Sequence, residues 1–307
     1  MRHLGMRERK VILRIDAPCP CGSGNAIADC HLDVDGRFRK HLPPLRPPGS
    51  PTGFSHPNCY LRETYDCSEQ ISREHYISRS VLEQLGSVLR VSGMPWLPTG
   101  QTLDTTVSSL TAKILCKRHN EALSPLDAEA ADFFRILRES LIDLDRKTLS
   151  RKPILHLVGG EALELWMLKV ACGLYFAIGA KNGVKLAGTH TIDLRKVQRA
   201  FFDRAWDTRA GLYFRGSTGT VITLQDNVGI APLTSDSDRR FGGATVALHG
   251  FTLDLVFDDK NTNPGPSSGL VRRPSELVLR KKQRQHSIIL TWPPGTPEAS
   301  IRLDGRA

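Results

Sequence analysis

The placement of cysteine and histidine constrains this chain more than any other feature. Cys19, Cys21, Cys30, Cys59, Cys67 and Cys116 lie in the first half among histidines, whereas Cys172 stands alone in an apolar stretch. An odd number of cysteines clustered with histidines, without a secretory-type leader, points to metal binding rather than a disulfide framework. Cys172 is expected to be a core residue. Cys19-Pro-Cys21-Gly-Ser-Gly24 followed by Cys30-His31 places four zinc-type ligands in thirteen residues, with Gly22 and Gly24 permitting the tight turns between them. A knuckle this small cannot bury a core. Its fold would rest on a closed structural zinc site, worth roughly 10 to 16 kcal/mol in peptides.

The 307-residue chain is of ordinary globular composition, 40% hydrophobic and 24% charged, with room for two or three domains. A formal net charge of +10 favours anionic partners, nucleic acid first among them. Residues 1–18 hold no continuous apolar core, which speaks against a secretory signal. The apolar run over residues 163–180 is interrupted by Glu164 and Lys169, so it reads as a buried helix and not a membrane span. A soluble cytoplasmic protein with no membrane partner is expected.

Along the chain, residues 10–15 read as a short strand and residues 42–53, rich in Pro and Gly, as an extended linker. Residues 71–77 are strand-like, 80–85 form a short helix ended by Gly86, and 110–115 form a second strand. Phe133, Phe134, Leu137, Leu141 and Leu144 then fall at helical spacing in residues 127–149, with Asp127 as cap. Strand, long connection, strand and helix is the order of a ββα unit with an insertion. The C-terminal half reads as helices over 161–178 and 192–206, β-like runs over 211–214, 220–224, 245–257 and 287–292, and a loop over 258–268, without a catalytic motif. The expected fold class is α+β: a zinc knuckle and linker (1–50), a central ββα domain (51–150) and a mixed α+β domain (151–307).

Two stretches carry family resemblances. The Cys19–His31 segment resembles the SEC-C motif, the short zinc-binding module named for the C-terminus of the secretion ATPase, although residues 25–29 lack the lysines usual there. Ser72-Arg73-Glu74-His75-Tyr76-Ile77-Ser78, followed by Cys116-Lys117-Arg118-His119-Asn120, resembles the HNH endonuclease family with its ββα-metal fold. The likeness covers roughly residues 54–135. It implies that Glu74 and Asn120 bind a catalytic divalent cation, Mg²⁺ or Mn²⁺, and that His75 is the general base. It also implies a second structural zinc held by Cys59, Cys67, Cys116 and His119, with His56 an alternative to Cys67. Two departures from the family pattern are Thr111, where many members have Asn, and the seven residues between Cys59 and Cys67.

The chemistry is consistent with those roles. Phosphodiester hydrolysis needs a cation at the scissile phosphate and a base for water, and oxygen ligands and a near-neutral imidazole suit these tasks. Arg73, Arg79, Lys113, Lys117 and Arg118 bracket the motif and would suit phosphate contacts. Arg272, Arg273, Arg280, Lys281, Lys282 and Arg284 form a second basic cluster, either a nucleic-acid surface or a solvated edge. The resulting expectation is a metal-dependent endonuclease acting on DNA, compatible with a defence role. The alternative is a non-catalytic zinc protein binding nucleic acid or a protein, and a homo-oligomer or regulatory partner stays open.

Overall fold

The computed structural model describes residues 16–306 except 34–35, 95–96, 147–152, 178–185, 218, 236 and 259–268. The strand expected over 10–15 and nearly all of the loop expected over 258–268 lie outside the described residues. The described residues are mixed α and β with three sheets. Among the described residues no helix is long and apolar enough to cross a membrane.

A one-turn helix α1 (Ile27–Cys30) sits in the N-terminal knuckle. β1 (Ile71–His75) leads through α2 (Arg79–Leu82) into β2 (Val88–Ser92) and β3 (Thr102–Thr106), and β4 (Thr111–Cys116) returns directly into the long helix α3 (Lys117–Asp145). β5 (Ile154–Gly159) and α4 (Gly160–Ala177) follow, then the short α5 (Leu186–Thr189) and α6 (Leu194–Asp203). The remainder is β: β6 (Gly211–Arg215), β7 (Thr220–Thr223), β8 (Asn227–Ser235), β9 (Arg240–Leu248), β10 (Phe251–Val256), β11 (Leu270–Arg272), β12 (Glu276–Lys281), β13 (Arg284–Thr291) and β14 (Ser300–Arg306).

β1 and β4 form a two-stranded antiparallel sheet of their own, with Glu74 opposite Ala112 and His75 opposite Thr111. The seven-stranded sheet has the order β11-β6-β10-β9-β8-β2-β3 and the five-stranded sheet β5-β13-β12-β14-β7. α3 packs along the five-stranded sheet, α4 along the seven-stranded one, and the helices pack on each other. β2 and β3, from residues 88–106, thus extend a sheet otherwise made of residues 211–272. A single apolar cluster runs from Leu45 to Leu303, so segments on both sides of residue 150 share one core. The knuckle packs in a separate small cluster, Ile27 with Leu157 of β5 and Ile289 of β13 alongside. Residues 42–53 are not a free linker. Leu45 is buried in the main core, and the preceding Lys40 bonds Glu129 of α3 at 2.7 Å.

The helix expected from 127 starts ten residues earlier. Cys116 is its N-cap, its sulfur accepting the His119 N–H. Pro125 lacks the N–H that would bond the Glu121 carbonyl one turn back, and Ser124 Oγ donates to that carbonyl instead at 2.8 Å. The helix therefore continues through the proline, and Asp127 lies inside it. The run expected over 245–257 is two strands, turned by His249 and Gly250, both with positive φ (52° and 77°), as a tight hairpin turn requires. The basic cluster of residues 272–284 is largely spent inside the molecule. Arg273 bonds Glu164 at 2.8 Å, Arg280 bonds Asp304 at 3.2 Å, Arg284 bonds Asp143 at 3.4 Å and Lys281 bonds Asp145. The nucleic-acid reading of that cluster is not supported by this pairing.

Candidate functional site

Two Cys/His groups converge: Cys19, Cys21, Cys30 and His31, and Cys59, Cys67, Cys116 and His119. Within each group the ligand atoms all lie within 4.8 Å of one another. Zn–S bonds of about 2.3 Å and Zn–N bonds of about 2.0 Å in a tetrahedron place sulfur and nitrogen about 3.6 Å apart and two sulfurs about 3.8 Å apart. In the second group His119 Nδ1 is 3.6 Å from Cys59 Sγ, 3.7 Å from Cys67 Sγ and 3.1 Å from Cys116 Sγ. In the first, His31 Nδ1 is 3.4 Å from Cys19 Sγ and 3.0 Å from Cys30 Sγ, and Cys21 and Cys30 are 3.6 Å apart. Both sets fit zinc, and all the cysteines are free thiols. His56 is not in either group.

The sites differ in burial. Gly22 and Gly24, both in the left-handed region, turn the chain of the knuckle, and Cys21 and Cys30 stay half-exposed. All four ligands of the second group are buried, none more than 1% exposed. Contact with Cys59 draws the Cys116 thiol down to about 2, while the same contact and burial push Cys59 up. The His119 tautomer is fixed from behind. Thr64 Oγ1 donates its one proton to the Leu61 carbonyl at 2.8 Å and faces His119 Nε2 at 3.0 Å. It can therefore only accept there, which puts the ring proton on Nε2 and leaves Nδ1 free for metal.

β1, β4 and α3 meet at this second group, and the acidic side chains lie just beyond it. Glu74 is buried, and the Asn120 side chain, one turn into α3, lies close enough to help hold its carboxylate charged. So Glu74 and Asn120 are brought together. Glu74 is also bonded, at 2.6 Å, to the ammonium of Lys169 from α4, which lies 2.6 Å from Asp127 as well. The Asp127 carboxylate in turn accepts from Ser78 Oγ, and Trp166 Nε1 donates to Ser78 Oγ at 2.6 Å. Burial pushes the Glu74 carboxyl up against the opposing pull of Lys169. Burial works against the Lys169 charge too, but the two carboxylates outweigh it and hold that pKa above its ordinary value.

His75 follows Glu74 and therefore points to the opposite face of β1. It is half-buried and makes no hydrogen bond or ion pair among the described residues. Burial, and then Arg79, hold its pKa below the usual value, so the ring is neutral at pH 7. Of the basic residues near the motif, Arg79 pairs with Glu83, Lys117 with Glu121 and Arg118 with Asp66. Arg73 and Lys113 are exposed and form no ion pair among the described residues. Thr111 donates its hydroxyl to the Ser108 carbonyl at 3.0 Å, which secures the turn entering β4.

Sequence reasoning missed Lys169, Asp127 and Ser78 as members of this cluster and Thr64 as the support of His119. A lysine in an otherwise apolar helix was a usable signal, because such a charge is buried only with partners. In comparisons with known proteins the chain matches no family model, no curated protein and no solved structure.

Proposed function

We propose that the chain is an HNH-type phosphodiester hydrolase acting on DNA, with His75 as general base. The carrying observation is the placement of His75: a half-buried imidazole at the end of β1, next in sequence to Glu74, with no hydrogen bond or ion pair among the described residues. The resemblance stated from the sequence supplies the reaction class, and the β1–β4–α3 arrangement around the second Cys/His group supports it. In this reading a His75 ring nitrogen takes the proton from the attacking water and becomes imidazolium as the bond to phosphorus forms. Arg73 and Lys113, on the neighbouring exposed surface, offset the phosphate charge of the bound strand.

Glu74 and Asn120 have the oxygen donors that Mg²⁺ or Mn²⁺ prefers. They do not fit a resident divalent ion as they stand, because the carboxylate is bonded to an ammonium 2.6 Å away. No step is therefore routed through one. The test is nicking of supercoiled plasmid by the zinc-loaded protein, with and without added Mg²⁺ or Mn²⁺. His75→Ala is expected to abolish nicking while zinc content stays the same. Nicking that survives the substitution overturns the assignment of His75.

The Lys169–Glu74 bond also favours a second reading, a zinc protein that binds nucleic acid without cutting it. It predicts binding that weakens steeply with salt and no hydrolysis with any divalent metal.

A further inference from the structure

We propose that Lys169 is the resident cation of the Glu74 cluster, standing between Glu74 and Asp127 in the position a divalent ion would need and excluding Mg²⁺ and Mn²⁺ from it. This goes beyond the nuclease reading and holds whether or not His75 turns over a substrate.

Three observations carry it. The first is charge and distance: two carboxylates from different elements each lie 2.6 Å from one ammonium, whose side chain is 3% exposed. A divalent ion bound to the same oxygens would sit against that ammonium in a buried site, where like charges are poorly screened. The second is construction. Trp166, Lys169 and Gly173 fall on one face of α4, and each is fitted to the site. Trp166 Nε1 is fastened to Ser78 Oγ, which donates to Asp127. At Gly173 a Cβ would lie 2.3 Å from Tyr76 Cβ, so α4 approaches the end of β1 this closely only because residue 173 has no side chain. The third is the balance of charge: one ammonium faces two carboxylates, whose attraction outweighs the burial that opposes its charge. Lys169 is bonded to Glu74 and Asp127, and Asp127 in turn to Ser78, so the ammonium satisfies both carboxylates without an ion.

The experiment is a Mn²⁺ titration of the full-length, zinc-loaded protein, with free Mn²⁺ read by electron paramagnetic resonance. Wild type is expected to show no site tighter than about 1 mM, and Glu74→Gln no change. Lys169→Ala vacates the position between two carboxylates and is expected to bind Mn²⁺ at least about tenfold more tightly than wild type. Lys169→Arg, which keeps the charge, is expected to behave as wild type. One equivalent of Mn²⁺ bound by wild type and lost in Glu74→Gln overturns the proposal. So does a folded Lys169→Ala protein that gains no Mn²⁺ affinity. Because the wild-type and Glu74→Gln arms need no Lys169 variant, poor folding of Lys169→Ala leaves the proposal decidable. The readout is metal binding, so a negative result does not touch the nicking test.

Discussion

Lys169→Met should cost the zinc-loaded protein about 3 to 5 kcal/mol at pH 8, the range for breaking a buried ion pair from one side. Methionine keeps most of the aliphatic stem and removes the charge, so the packing of α4 on β1 is largely retained. What is left is Glu74 and Asp127, each formerly 2.6 Å from the lost ammonium, with oxygens therefore no more than about 5 Å apart. Two unit charges at that distance repel by about 3 kcal/mol at an effective dielectric of 20. Two charge-assisted hydrogen bonds also disappear. The fold can escape by protonating Glu74, whose carboxyl burial already pushes up and whose countervailing Lys169 is gone. A carboxyl raised in the folded state contributes stability below its unfolded pKa, and that contribution is lost as pH rises through its folded pKa. The variant's deficit should therefore grow with pH, by at most about 1.4 kcal/mol per unit for one proton. Guanidinium unfolding of variant and wild type at pH 6 and pH 8 measures it, and the wild type at each pH cancels the protonation of the shared zinc ligands. Equal stabilities at pH 8, or a deficit of the same size at both pH values, would refute the reasoning.

Thr64→Val removes the acceptor behind His119 Nε2 while keeping the shape, so zinc affinity at the buried group should fall about 10- to 100-fold; competition with a chromophoric chelator reads this directly, and unchanged affinity would dismiss Thr64 as an orienting group. Chelator treatment of the wild type should release zinc in two phases, the half-exposed Cys21 and Cys30 site first and the buried Cys59, Cys67, Cys116 and His119 site later. A single phase of two equivalents would contradict that order. The slow phase should coincide with loss of near-ultraviolet circular dichroism from the core, because Cys59, Cys67 and Cys116 belong to the main apolar cluster.

Much of the site was legible because it is local. The knuckle is thirteen residues of one pattern, and β1, β4 and the start of α3 follow from alternation and a Cys-x-x-His step. What failed was non-local or compensated. Asp127 read as a cap, yet the helix starts at Lys117 and passes through Pro125, where the Ser124 hydroxyl bonds the Glu121 carbonyl that the proline leaves without an N–H. β2 and β3 are short and polar on one face, and they are strands because β8, far along the chain, offers β2 an edge. The basic run of residues 272–284 reads as a surface until its partners Glu164, Asp304, Asp145 and Asp143 are seen, none of them nearby in sequence. Lys169 was visible only as a flaw in an apolar helix.

That flaw changes how the C-terminal half relates to the β1–β4–α3 unit. The segment before β1 supplies Cys59 and Cys67, and β1, β4 and α3 supply Glu74, Cys116, His119, Asn120 and Asp127, but the positive charge that makes two buried carboxylates tolerable comes from α4. α4 also closes the core between the two large sheets, so its position is set by contacts with β9 and β10 as well as β4. Glu164 on the same helix anchors it to Arg273 at 2.8 Å and to the Leu212 N–H at 2.7 Å, at the margin of the seven-stranded sheet. A displacement of that sheet would therefore be felt at Lys169 through one rigid element, without any contact between the sheet and Glu74. An isolated fragment ending at α3 would expose Glu74 and Asp127 without their cation. The acidic cluster is thus a joint product of both halves of the chain, and residues 151–307 complete it rather than decorate it.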